Sequence, residues 1–169
     1  ALDDAYISVA EALKHGGITN HATVHIKWID SEAVTKENAA DIFFDVQGIL
    51  VPGGFGSRGI DGMLCAIEYA RTNAIPYLGL CLGMQLSIVE YARNAAGLAD
   101  AHSIELNPDT PHPVIALMPD QNNVVDIGGT LRLGSCPCVL SEDSMAYRLY
   151  GEKMISERHR HRYEVNNAY

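Results

Sequence analysis

One cysteine of this chain stands between two glycines, in Gly79-Leu-Cys-Leu-Gly83. An apolar run precedes it, and Met84, Ile88, Tyr91 and Ala95 follow at helical spacing. A glycine–x–nucleophile–x–glycine sequence at a strand-to-helix junction makes a sharp turn, because a Cβ on either flank would crowd the backbone. The turn lifts Cys81 above the strand ends, where α/β sheets bind their ligands. The helix N-terminus is predicted to favour the thiolate over the thiol, which makes Cys81 a candidate nucleophile. Cys65 falls inside a helical pattern, and Cys136 and Cys138 flank Pro137, so these three read as inert. The C-x-C spacing is not the C-x-x-C of zinc or redox sites, and no metal site is expected.

A second glycine loop, Val51-Pro-Gly-Gly-Phe-Gly-Ser-Arg-Gly59, also closes an apolar run and should lie on the same sheet edge as Cys81. Its bare amides suit an oxyanion hole, and equally a plain tight turn. The glycine–lysine–serine order of a phosphate-binding loop is absent. Glu157-Arg-His-Arg-His-Arg-Tyr-Glu164 is the third signal. On a strand of period two, Arg158, Arg160 and Arg162 face one way and His159 and His161 the other. Such a row could dock a carboxylate or form a solvated, aggregation-resistant edge. A cysteine nucleophile also needs a base, usually a histidine oriented by a carboxylate. None of the seven histidines stands in such a pattern.

The elements that must position these residues are legible from periodicity. Asp3 and Asp4 precede a helix with Tyr6, Val9, Ala10 and Leu13 on one face, and Gly16-Gly17 is predicted to stop it. Val24, Ile26 and Trp28 alternate with polar neighbours, which predicts a strand. A short helix is expected over residues 37–45, then a buried strand over Gly48–Val51. Met63, Ile67 and Ala70 mark the next helix, and Ile75–Leu80 a second buried strand. Strand–helix alternation of this kind implies a mainly parallel sheet covered on both faces. Prolines 108, 111, 113 and 119 and Gly128-Gly129 break the second half into shorter pieces. Strands are expected there over Val114–Met118, Thr130–Leu133 and Arg158–Val165, with a short helix over Ser144–Tyr150.

The chain has 169 residues, enough for one α/β domain, and 47% of them are hydrophobic. Its formal charge of −9, from 12 lysines and arginines against 21 acids, argues against coating nucleic acid. No apolar run reaches the ~20 residues that span a bilayer, and no signal peptide is visible. Four cysteines in this length are not a disulfide scaffold, so a reducing cytoplasm is expected.

Four blocks together resemble the glutaminase domain of the CTP synthase family, a branch of the class I glutamine amidotransferases. They are Pro52-Gly-Gly-Phe-Gly-Ser-Arg-Gly59, Ile75-Pro-Tyr-Leu-Gly-Leu-Cys-Leu-Gly-Met-Gln85, Gly128-Gly-Thr-Leu-Arg-Leu-Gly134 and Glu157-Arg-His-Arg-His-Arg-Tyr-Glu-Val-Asn-Asn167. Asp4-Ala-Tyr-Ile-Ser-Val9 and Glu11-Ala-Leu-Lys-His15 fit the same family. The resemblance implies an α/β fold, a three-layer, mainly parallel sheet flanked by helices, with short antiparallel strands in the second half. It implies a glutaminase whose ammonia serves the ATP-dependent amination of UTP to CTP. By resemblance Cys81 forms a glutamyl thioester. Gly54 and the amides of Leu82, Gly83, Met84 and Gln85 line the glutamine site. Glu105 holds the substrate α-amine, and Arg162 its α-carboxylate.

The family uses ATP and magnesium in a separate synthetase domain and GTP as activator, so no cofactor is expected in this domain. The loop leading to Arg132 resembles the lid associated with that control. The expected partners are glutamine, the synthetase domain and further copies of the parent enzyme, with no nucleic acid and no membrane. The family's base lies in a histidine–proline–glutamate motif beyond the residue where this chain stops, and its first sheet strand precedes Ala1. Residues 1–169 are thus expected to be a single amidotransferase domain truncated at both ends, without the synthetase domain. A non-catalytic module that binds glutamine or docks to a partner is the alternative.

Overall fold

Short apolar strands alternate with amphipathic helices through the first half of the computed structural model, which describes residues 3–117 and 132–169. A 3-10 turn over Asp3–Tyr6 leads into α1 (Ile7–Thr19). Then come α2 (Ala39–Phe43), β1 (Ile49–Val51), α3 (Ile60–Thr72), β2 (Tyr77–Gly79) and α4 (Leu82–Asn94). The second half holds β3 (Ala101–Ser103), β4 (His112–Leu117), β5 (Arg132–Val139), α5 (Met145–Tyr150), β6 (Met154–His161) and β7 (Tyr163–Val165). No described helix is long and apolar enough to cross a membrane.

Among the described residues the strands form three sheets. β1 and β2 are parallel, with Ile49 opposite Tyr77 and Val51 opposite Gly79. β4 is the middle strand of the second sheet, parallel to β3 and antiparallel to β7. β5 and β6 make an antiparallel ribbon from Arg132↔His161 to Val139↔Met154. The parallel β1–β2 pair of the first half and the antiparallel β4–β7 and β5–β6 pairs of the second follow the sequence expectation, and the second half adds the parallel β3–β4 pair.

α4 ties these pieces together. Leu82 and Leu86 join a core formed with Val34, Phe43, Ile49, Val51, Ile60 and Ile67. One turn further on, Val89 and Ala92 pack with Ala101, Val114 and Ile115 of β3 and β4. The apolar stripe of one helix, spaced by three and four residues, therefore closes two cores. α3 is fastened to it by Arg71, which donates to both carboxylate oxygens of Glu90 at 2.8–3.0 Å. Glu90 is 1% exposed and also accepts from Asn94.

Several expectations are corrected. The segment over Val24–Trp28 is not a strand. It has no ladder partner among the described residues; Lys27 instead ties it to the Ile42 carbonyl and Asp45. Gly16-Gly17 does not end α1, which continues to Thr19. Gly17 is buried where a Cβ would lie 2.7 Å from the Ala22 carbonyl, so its role is close approach and not termination. β2 is not buried throughout: Leu78 is 52% exposed, on the sheet face opposite to Tyr77 and Gly79. The Gly128-Gly129 break, Met118, Thr130 and the lid segment up to Leu131 lie outside the described residues.

Candidate active site

Cys81 is the N-cap of α4 and has φ 53° and ψ −107°. A positive φ is unusual for a residue with a Cβ, and strain of this kind concentrates at functional sites. The two flanking glycines make the turn possible. A Cβ on Gly79 would meet the Met84 nitrogen at 2.5 Å, and one on Gly83 would land on the Val51 carbonyl. The turn is closed by the Gly83 amide donating to the Leu80 carbonyl and the Gln85 amide to the Cys81 carbonyl, each at 3.0 Å. Tyr77 donates its hydroxyl to the Gly83 carbonyl at 2.8 Å, and its burial holds the phenol well above its ordinary pKa.

The parallel register of β1 and β2 delivers both glycine loops to one edge, as the sequence implied. A Cβ on Gly53 would lie 3.2 Å from the Cys81 Cβ and 3.7 Å from its Sγ. Gly54 follows, packed near the Leu82 side chain. The loop is held from the far side by Tyr6, whose hydroxyl donates to the Gly53 carbonyl at 3.3 Å and whose ring stacks on Trp28. Periodicity placed Tyr6 on one face of the first helix and Tyr77 in a strand, and gave neither of them a role in holding the site.

The second sheet supplies the charges. Glu105 follows the C-terminal end of β3, and Arg162 immediately precedes β7 where Tyr163 pairs with Leu117 at the end of β4. Parallel β3 and β4 with antiparallel β7 thus bring both residues to the same sheet edge. Gln85 of α4 locks this edge to the nucleophile turn, its side chain donating to the Tyr163 carbonyl at 2.9 Å. The expected arginine row does not form. Arg158 and Arg160 are exposed, but the strand bends between β6 and β7, and Arg162 turns inward at the bend. Its Nε is buried without a hydrogen-bond partner among the described residues, and its guanidinium lies 5.7 Å from the Tyr163 ring centroid.

The electrostatics reverse one expectation. The Cys81 thiol sits above its ordinary pKa, chiefly through burial and further through the negative field of Glu105. The Leu82 amide opposes both, which is the helix-terminus effect expected from sequence, but desolvation outweighs it. Glu105, at the exposed rim, is itself pushed up by partial desolvation while Arg162 pulls it down. Of the four turn amides, Leu82's faces the sulfur, whereas those of Gly83 and Gln85 are committed to the turn. Met84 lies half-buried in the first turn of α4. Cys65 is half-buried in α3, its thiol raised by burial, while Cys138 is exposed on β5. No histidine is bonded to Cys81 or shifts its titration among the described residues.

A thiol beside glycine amides, with a carboxylate and a guanidinium on the facing rim, can hold an α-amino acid by both ends and present its side chain to sulfur. Residues 1–169 match the family model described as glutamine amidotransferase class-I. The CTP synthase of Halalkalibacterium halodurans is 60% identical over 169 residues, which is all of this chain and 32% of that protein. The CTP synthase of Staphylococcus carnosus is 59% identical over the same length, 31% of its own. The chain therefore spans about a third of the curated relatives it matches. A solved structure, described as the Trypanosoma brucei CTPS glutaminase domain with bound acivicin, superimposes with a TM-score of 0.90 at 38% identity. The match covers 98% of this chain and 64% of that one. With a nucleophile turn of this build, a family match from the first residue to the last and the fold of a solved glutaminase domain, the chain belongs to the class I glutamine amidotransferases.

Proposed function

We propose that this chain is the glutaminase unit of a CTP synthase, and that it hydrolyses glutamine to glutamate and ammonia for the amination of UTP. The observation that carries the reading is that Cys81 and Gly53-Gly54, at the edge of the β1–β2 sheet, are joined through Gln85 to the edge of the β3–β4–β7 sheet that carries Glu105 and Arg162. Arg162, whose buried Nε has no hydrogen-bond partner among the described residues, takes the α-carboxylate of glutamine. Glu105 takes the α-ammonium. The carboxamide then lies against Cys81, with the Gly54 amide on its oxygen. Sulfur attacks the amide carbon, the C–N bond breaks, and ammonia leaves with an added proton. Water then cleaves the thioester, which yields glutamate and restores the thiol. Both steps require a proton carrier that does not touch Cys81 among the described residues. The base is assigned to the family's histidine–proline–glutamate segment.

ATP and magnesium act in a synthetase domain that receives the ammonia, GTP activates the assembly, and the parent enzyme is an oligomer. The four unbridged thiols suit a cytoplasmic setting. In the full-length enzyme, Arg162→Ala and Glu105→Ala should each lower glutamine-dependent CTP formation by about tenfold or more, since each removes a charge-assisted contact of about 1.5–3 kcal/mol. CTP formation from ammonium salts should be preserved, because ammonia bypasses the site. Loss of both activities in a folded variant would assign these residues to structure. A glutamine-binding module without turnover would lack glutamine-dependent activity in the unmutated full-length enzyme.

A further inference from the structure

The bend that presents Arg162 also gathers three groups the glutaminase reading leaves unused. His159 and His161 share one face of β6, two residues apart, and the bend folds Glu164 of β7 back toward them. One ligand-capable atom from each of the three lies within 4.8 Å of the others. The His161 Nδ1 is 3.9 Å from a Glu164 oxygen, and these side chains are 19% and 22% exposed. The imidazole rings stand nearly perpendicular, 84° apart with centroids at 5.5 Å, so their nitrogens converge without stacking. His159 Nδ1 is buried and has no hydrogen-bond partner among the described residues. Buried ring nitrogens are ordinarily paired, and one that is not calls for a ligand.

We propose that His159, His161 and Glu164 form a binding site for a divalent transition-metal ion, which pins the bend carrying Arg162. Two imidazoles and one carboxylate are the donor set of zinc and its neighbours, with a fourth position left to water. Magnesium and calcium prefer an all-oxygen shell. Ligand atoms around a tetrahedral ion with bonds of about 2.0–2.1 Å stand about 3.4 Å apart. The 3.9 Å His161–Glu164 separation, and the others within 4.8 Å, reach that value through side-chain rotations. The spacing H-x-H followed by a glutamate across a bend is not a standard sequence signature.

The test uses the tag-free 169-residue chain after treatment with a chelator. Cobalt(II) titration followed by visible absorption, with zinc(II) competition by calorimetry, should give one saturable ion per chain. His161→Ala and Glu164→Gln should each weaken zinc binding by about tenfold or more, whereas the Cys136→Ser, Cys138→Ser double variant should bind as the parent does. Circular dichroism checks that each variant is folded. Nuclear magnetic resonance of the unmutated chain needs no variant: cobalt(II) should shift the ring signals of His159 and His161 ahead of the other five histidines. The proposal is overturned by absence of saturable binding, by loss of binding in the cysteine variant, or by shifts centred on other histidines.

Discussion

Cys81 is under opposing influences. The turn that exposes the sulfur also desolvates it and sets it in the field of Glu105, and both favour the neutral thiol. An α-ammonium bound at Glu105 would cancel that field, so substrate entry itself would favour the thiolate. The sign can be checked directly. Alkylation of Cys81 by iodoacetamide should rise with pH through a midpoint above that of an ordinary thiol. Glu105→Gln removes the negative field, lowers the midpoint and speeds labelling at neutral pH by about two- to tenfold. An unchanged midpoint would mean that Glu105 does not act on the sulfur. At neutral pH iodoacetamide should reach the exposed Cys138 first. A glutamine-mimicking diazo-ketone amino acid should instead select Cys81, and peptide mass spectrometry separates the two patterns.

At the scale of elements, the loop after β1 matters as much as the turn after β2. In a trans peptide the carbonyl of Gly53 and the amide of Gly54 point in opposite directions. The Tyr6 hydroxyl holds that carbonyl and so fixes which way the Gly54 amide points. Tyr6→Phe keeps the stack on Trp28 and removes only this bond. The expected result is two- to tenfold slower labelling of Cys81 by the diazo-ketone, in line with a hydrogen bond of about 0.5–1.5 kcal/mol. Iodoacetamide needs no oxyanion donor, and its rate should stay unchanged. Equal slowing by both reagents would point to a general loss of order in the loop.

At the scale of the whole molecule, α4 joins the two cores, and the Arg71–Glu90 pair holds α3 against it. Glu90 is held below its ordinary pKa by Arg71 and Asn94, against a large desolvation effect in the other direction. Its contribution to stability is therefore present above the unfolded-state carboxylate value and is lost as the pH falls through the lower folded value. Arg71→Met should lower the Tm most at neutral pH, where it strands a buried carboxylate, and least in acid, where Glu90 can protonate. Thermal melts between about pH 4 and about pH 7 measure this. A Tm deficit that grows in acid would contradict the assignment.

The sequence alone sufficed to locate Cys81, its glycines, the second glycine loop and the order of strands and helices around them. Such features rest on local rules: the period of apolar residues, and the intolerance of a tight turn for a Cβ. The family resemblance added Glu105, which no periodicity marks, and singled out Arg162 from the arginine row that period two had drawn. Local rules failed where a partner decided the outcome. The alternating Val24–Trp28 segment has no strand neighbour among the described residues and is irregular, and α1 passes through two glycines, of which Gly17 lets the Ala22 carbonyl approach. Tertiary structure also turned Arg162 away from Arg158 and Arg160, folded Glu164 toward the two histidines and pushed the Cys81 thiol upward. Each of these depends on groups distant in sequence that bend a strand, exclude water or place a charge, and distances and desolvation of that kind exist only once the chain has packed.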